Sequence, residues 1–129
     1  MKQLIGITLT LLCIGLWSAL SSASTQDCRY VSEGAVQQAW KKIRIEDAAG
    51  NILAGADNFS EAIAMGQNLV GSQACHAQLQ DCRMASEGIV GGEWMRHRLQ
   101  MDGDMVFGAD DMATALNYLS ALRRLGFCQ

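Results

Sequence analysis

The chain has 129 residues, half of them hydrophobic, and ten basic residues stand against thirteen acidic ones for a net charge of −3. That balance excludes a global electrostatic pull toward nucleic acid or an anionic membrane surface. Proline is absent, and with no low-complexity linker the composition fits one compact unit.

Residues 1–23 read as an export signal. Lys2 is a short basic start, Leu4 to Leu20 is an apolar run, and Ser21-Ser22-Ala23 supplies small residues for cleavage after Ala23. The run is 17 residues long, at the lower edge of a spanning length, and its flank is small rather than basic, which disfavours a retained anchor. Cys13 lies inside the run and leaves with it. Residues 24–129 then form a single domain with nine basic against thirteen acidic residues, a net charge of −4. No apolar stretch after Ala23 is long enough to cross a bilayer. The expected location is periplasmic or secreted, with no membrane association after cleavage.

Two stretches of this domain, 26–76 and 80–129, say the same thing. Gln26-Asp27-Cys28-Arg29 returns as Gln80-Asp81-Cys82-Arg83. Ser32-Glu33-Gly34-x-Val36-x3-Trp40 returns as Ser86-Glu87-Gly88-x-Val90-x3-Trp94, and Gly55-Ala56-Asp57 as Gly108-Ala109-Asp110. Aligning 26–48 with 80–102 and 50–75 with 103–128 gives 49 pairs, of which 17 are identical. Such density implies a duplicated unit. The four cysteines left after export, Cys28, Cys75, Cys82 and Cys128, imply two disulfides. If Cys75 and Cys82 share a helix, about 10.5 Å of rise keeps them apart. One staple per repeat follows: Cys28–Cys75 and Cys82–Cys128.

Each unit opens on a short helix, capped in the first repeat by Thr25 and stopped by Gly34 or Gly88, with a strand from Cys28 as the competing reading. Val36 to Asp47 and Val90 to Met101 read as extended. Asp102-Gly103 marks a hairpin turn, and Ala48-Ala49-Gly50-Asn51 is its longer counterpart. Asn58 with Glu61, and Asp111, cap two longer helices. Their apolar stripes are Ile63, Gly66, Leu69 and Val70, then Leu116, Leu119, Leu122 and Leu125. Gly126 ends the second. The expected fold is α+β: two tandem (short helix)-β-hairpin-α repeats forming one four-stranded antiparallel sheet, with two helices on one face, pseudo-two-fold symmetric and disulfide-stapled.

Strand alternation puts Trp40, Lys42 and Arg44 on one face, and Trp94, Arg96 and Arg98 on the matching one. The opposite side carries Ile43 and Ile45, then Met95, Leu99 and Met101, and must meet the helices. The aromatic and basic side then faces solvent. Indoles beside guanidinium groups suit sugar rings, aromatic side chains and carboxylates. The bland alternative stacks Arg44 and Arg98 on the tryptophans with no ligand.

Other constellations are thinner. Glu33 and Glu87 recur in Ser-Glu-Gly but are tied to no second catalytic group. Cys75-His76 with Cys82 offers three metal ligands, yet both cysteines belong to a symmetric pair. No Cys-x-x-Cys appears, and the methionines suit core filling. No cofactor, no metal and no catalytic residue is expected. The leading reading is a small, monomeric, non-enzymatic protein-binding module of inhibitor, immunity or accessory type, whose partner is an envelope or extracellular protein. The alternative is a cell-wall glycan or peptidoglycan-binding module using the aromatic-basic face. A small hydrolase stands third.

Overall fold

The computed structural model describes residues 26–129, an α+β protein with two helices, antiparallel strands in several sheets and two disulfides. The leader with its cleavage site and the Thr25 cap lie outside the described residues.

The opening segment is a strand rather than the expected helix. β1 (Gln26–Val31) buries Cys28 and Tyr30, two residues apart, on one side. That alternation suits a half-buried strand and no helix. Two small strands follow, β2 (Gly34–Val36) and β3 (Ala39–Lys41), paired antiparallel. The stretch read as one extended segment is therefore broken. The chain folds back at Gln37-Gln38, with Gln37 at φ 58°. β4 (Ile43–Asp47) and β5 (Ile52–Ala56) form the main hairpin. Asp47 organises its turn, its carboxylate accepting from the amides of Ala49 and Asn51 at 2.9 Å each.

α1 (Phe59–Gly71) follows, with Asn58 accepting from the Glu61 amide at 2.8 Å. β6 (Cys75–Ala77) then returns alongside β1 in parallel. The first sheet has the order β5-β4-β1-β6.

The second half runs β7 (Cys82–Ala85), β8 (Gly88–Val90), β9 (Glu93–Met95), β10 (His97–Met101), β11 (Asp104–Ala109) and α2 (Met112–Leu125). β8 and β9 make another small hairpin, turned by Gly91 and Gly92, both at positive φ. The β10–β11 turn is the Asp102-Gly103 pair, also both at positive φ. Both main hairpins carry an irregularity at matching places, Ile45/Glu46 and Leu99/Gln100. Gly126 closes α2 in the left-handed region, φ 93°.

The second sheet has the order β11-β10-β7. The expected single sheet of two edge-to-edge hairpins does not form. β1 occupies the edge of β4, and β7 occupies the edge of β10, so the two main hairpins never share an edge. Each helix instead packs on its own half's strands, α1 on β4, β5 and β6 and α2 on β10 and β11, and the helices also touch each other.

One core joins the halves. Tyr30 meets Phe107 and Phe127 edge-on, with centroids 5.1 and 4.7 Å apart, and Phe59 lies 5.9 Å from Phe107. Burial pushes the Tyr30 phenol above its ordinary range, so it stays protonated. It donates to the Ala62 carbonyl at 2.6 Å. Its oxygen fills the space where any Gly66 side chain would begin. Leu119 and Leu122 are buried as expected, but Leu116 is half exposed. A strict three-residue spacing drifts about 60° per step around a helix, so four such leucines cannot share one face.

The seam between the halves is one-directional. Gln80 is 1% exposed. Its amide accepts from the Tyr30 N–H at 3.1 Å and donates to the Tyr30 carbonyl at 3.2 Å. The side chain thus replaces a strand along the edge of β1 beyond β6. Under a two-fold, Gln26 would do the same for Met84. Gln26 is exposed, and its side chain bonds no described residue. The halves therefore meet through different surfaces, and the expected two-fold does not relate them.

Candidate functional site

The repeated Ser-Glu-Gly and Trp-x3-Arg motifs build one local device twice. Arg44 leaves β4, and its guanidinium lies where a Cβ of Gly34 would stand. Its Nε donates to the Ser32 carbonyl at 3.0 Å and its Nη2 to the Glu33 carbonyl at 3.3 Å. Arg98 does the same in the second half. It lies on Gly88 and donates to Ser86 O at 2.8 Å and Ile89 O at 3.4 Å. The glycines are therefore not helix stops. They let a flat cation approach the backbone and fasten the loop before each small hairpin.

A second pair of glycines seats the hairpins from below. A Cβ on Gly55 would meet Lys41 Cγ at 2.6 Å and Val36 Cγ2 at 2.7 Å. A Cβ on Gly108 would meet the Val90 side chain and Met95 Cγ at 2.6 Å. Gly108→Ala is expected to destabilise by about 1–3 kcal/mol, because a β-branched valine has little room to yield. Urea titration followed by tryptophan emission should show an earlier midpoint; an unchanged midpoint would mean that the β8–β9 hairpin is loosely seated.

On these mounts stand the tryptophans. Trp40 on β3 is 66% exposed and Trp94 on β9 is 60% exposed. Ile89, across the ladder from Trp94, is 54% exposed. Trp40 donates its indole N–H to Glu33 at 3.2 Å. Glu33 in turn borders Gly92, in the turn of the other hairpin. Lys42 reaches Glu93 at 2.6 Å and ties the two halves at this end. The six residues singled out by alternation thus have separate fates. Both indoles are exposed, with Trp40 bonded to Glu33 through its N–H, while Arg44 and Arg98 hold backbone carbonyls and Lys42 is paired. Arg96 is exposed and forms no ion pair with any described residue. Neither arginine stacks on a tryptophan as the bland reading had it.

A cleft of about 390 Å³ opens beside the Lys42–Glu93 pair, between Phe59 and Tyr118 and the first turns of both helices. Asp111 lines it, its carboxyl held below the usual range by the Thr114 amide, then the Thr114 hydroxyl, with His97 adding charge. Both caps are already occupied by their own helices.

No family model matches the chain, and neither a curated protein nor a solved structure is similar to it. Glu33 is half-buried beneath Trp40, and Glu87 is exposed with no side-chain bond to a described residue. Asp57 pairs with Lys41 at 3.3 Å. Cys75 and Cys82 belong to different disulfides, Cys28–Cys75 and Cys82–Cys128. Cys75 lies on β6, not on a helix shared with Cys82. Among the described residues no helix is long and apolar enough to cross a membrane. Sequence reasoning missed the seating glycines and Gln80. Their signal was present as recurrence: Gly55 with Gly108, and Gln26 with Gln80.

Proposed function

We propose that this is an exported, non-enzymatic protein-binding module that presents Trp40, Trp94 and Ile89 to an envelope or extracellular protein. The observation that carries the reading is the pair of exposed indoles on hairpins fastened by arginine above and glycine below. Large, rigid aromatic side chains that carry a polar tip are the anchors of protein interfaces. Little ordering entropy is lost when such a mounted ring binds.

The glycan reading has less support. It needs cations for carboxylates beside the rings, and three of the four are already engaged. Only Arg96 remains to meet an acidic rim. Export rests on the apolar leader and on two disulfides, which persist in oxidising compartments. The domain is read as two copies of one unit. The 17 identities, the matched hairpin irregularities and the repeated arginine-on-glycine contact support that reading.

The test compares the protein with Trp40→Ala/Trp94→Ala in two assays. In pull-downs from envelope extract, the parent should retain a stoichiometric protein that the double variant loses. In sedimentation with purified cell wall, both should stay in solution. Sedimentation of the parent alone would transfer the site to a glycan. Equal capture of the same protein by both would remove the indoles from recognition.

A further inference from the structure

We infer that a second surface, on the second half around Met84 and Met112, takes the first half of another copy of this chain, head to tail. This goes beyond the hairpin site and uses a different face.

The seam inside the molecule is the template. On the first half it is made by Tyr30 and Phe59, together with the open backbone edge of β1 at Tyr30. On the second half it is made by Gln80, Phe107 and Phe127. Under the alignment of the halves, Tyr30 corresponds to Met84 and Phe59 to Met112. Both methionines are exposed, at 37% and 49%. Likewise Gln80 corresponds to Gln26, Val106 to Leu53, Phe107 to Ala54 and Phe127 to Ala74. Val106 is fully buried, whereas Leu53 is 41% exposed. Large apolar side chains left in water on either half thus sit at the positions their counterparts bury.

Backbone register makes the match more specific. β1 pairs with β4 as Tyr30 opposite Ile45, and β7 pairs with β10 as Met84 opposite Leu99, the same place in the ladder. In both, the central residue turns its N–H and C=O away from its antiparallel partner. Gln80 fills that edge at Tyr30. No described residue fills it at Met84. A clip and a receptacle of matching kind are therefore both unused, one on each half. An interface made of two different surfaces leaves such a pair open, and head-to-tail contacts of this type build rings or open chains instead of a two-fold pair. The expected monomer requires a seam that closes on itself. Alanines at 54 and 74 replace the anchoring rings, and flexible methionines meet them, so the association is weak.

Sedimentation velocity of the purified protein from micromolar to millimolar concentration reads this directly. Mass should rise with concentration. Gln26→Leu should weaken association about tenfold or more, by removing two hydrogen bonds, while leaving the denaturation midpoint alone because the Gln26 side chain is exposed and bonds no described residue. Ala54→Phe/Ala74→Phe restores the rings and should tighten association by a similar factor. Amide exchange at Met84 gives a readout that needs no core substitution: it should slow with concentration in the parent and not in Gln26→Leu. A parent that stays monomeric throughout, with Met84 exchange independent of concentration, overturns the proposal. Association that Gln26→Leu does not weaken overturns it equally.

Discussion

Replacing Cys28 and Cys75 by serine is expected to remove about 4 kcal/mol of stability. The bond closes a loop with a sequence separation of 47 residues, and chain-entropy reasoning gives that magnitude for a loop of about fifty. It ties β1 to β6, the one parallel pairing of the first sheet. The second bond does the same work over a separation of 46, holding the start of β7 to the segment after α2. Its loss is expected to weigh equally. A core this small, built around three phenyl rings and one phenol, has little reserve. Guanidinium titration of each serine pair should show the midpoint falling sharply, and the four-serine protein should not fold. A loss below about 1 kcal/mol would mean that the seam alone holds the chain together.

Gln80→Leu is the second large effect, expected at about 2–4 kcal/mol. Leucine keeps most of the volume but offers no polar atom. The Tyr30 N–H and C=O then lie unpaired in a place that is 1% exposed. Each orphaned backbone group costs about 1–3 kcal/mol, and the apolar replacement recovers part of the sum. Among the described residues no buried side-chain polar atom lacks a partner, and Gln80 is one of those so satisfied. Exchange of the Tyr30 amide should accelerate along with the drop in midpoint. An unchanged midpoint would show that Gln80 fills space and does not suture the halves.

The sequence was most legible where one residue type dictates one conformation. Asp102-Gly103 turns a hairpin, Asn58 and Asp111 cap helices, and Gly126 ends one. Even cysteines in an exported-looking chain pointed to two disulfides. It was least legible where a residue serves a distant contact. Gly34 and Gly88 look like helix stops, yet they are small because Arg44 and Arg98, ten positions on, must lie against them. Gln37-Gln38 carries no turn signal and still reverses the chain. Gly91-Gly92 does carry one, but the long run around it reads as a single strand. Gln80 is a buried polar side chain in a connecting stretch, and only its partner's backbone explains it. At the site, alternation identified both exposed indoles. It could not show that the cations beside them are spent on carbonyls and on Glu93.

The claim that the mounted indoles serve recognition and not the fold meets its sharpest test in the unfolding free energy of Trp40→Ala/Trp94→Ala. Side chains held in water lose little by truncation, so the double variant should match its parent within about 0.5 kcal/mol per site. A fall of about 3 kcal/mol or more, as for rings that anchor a core, would contradict it.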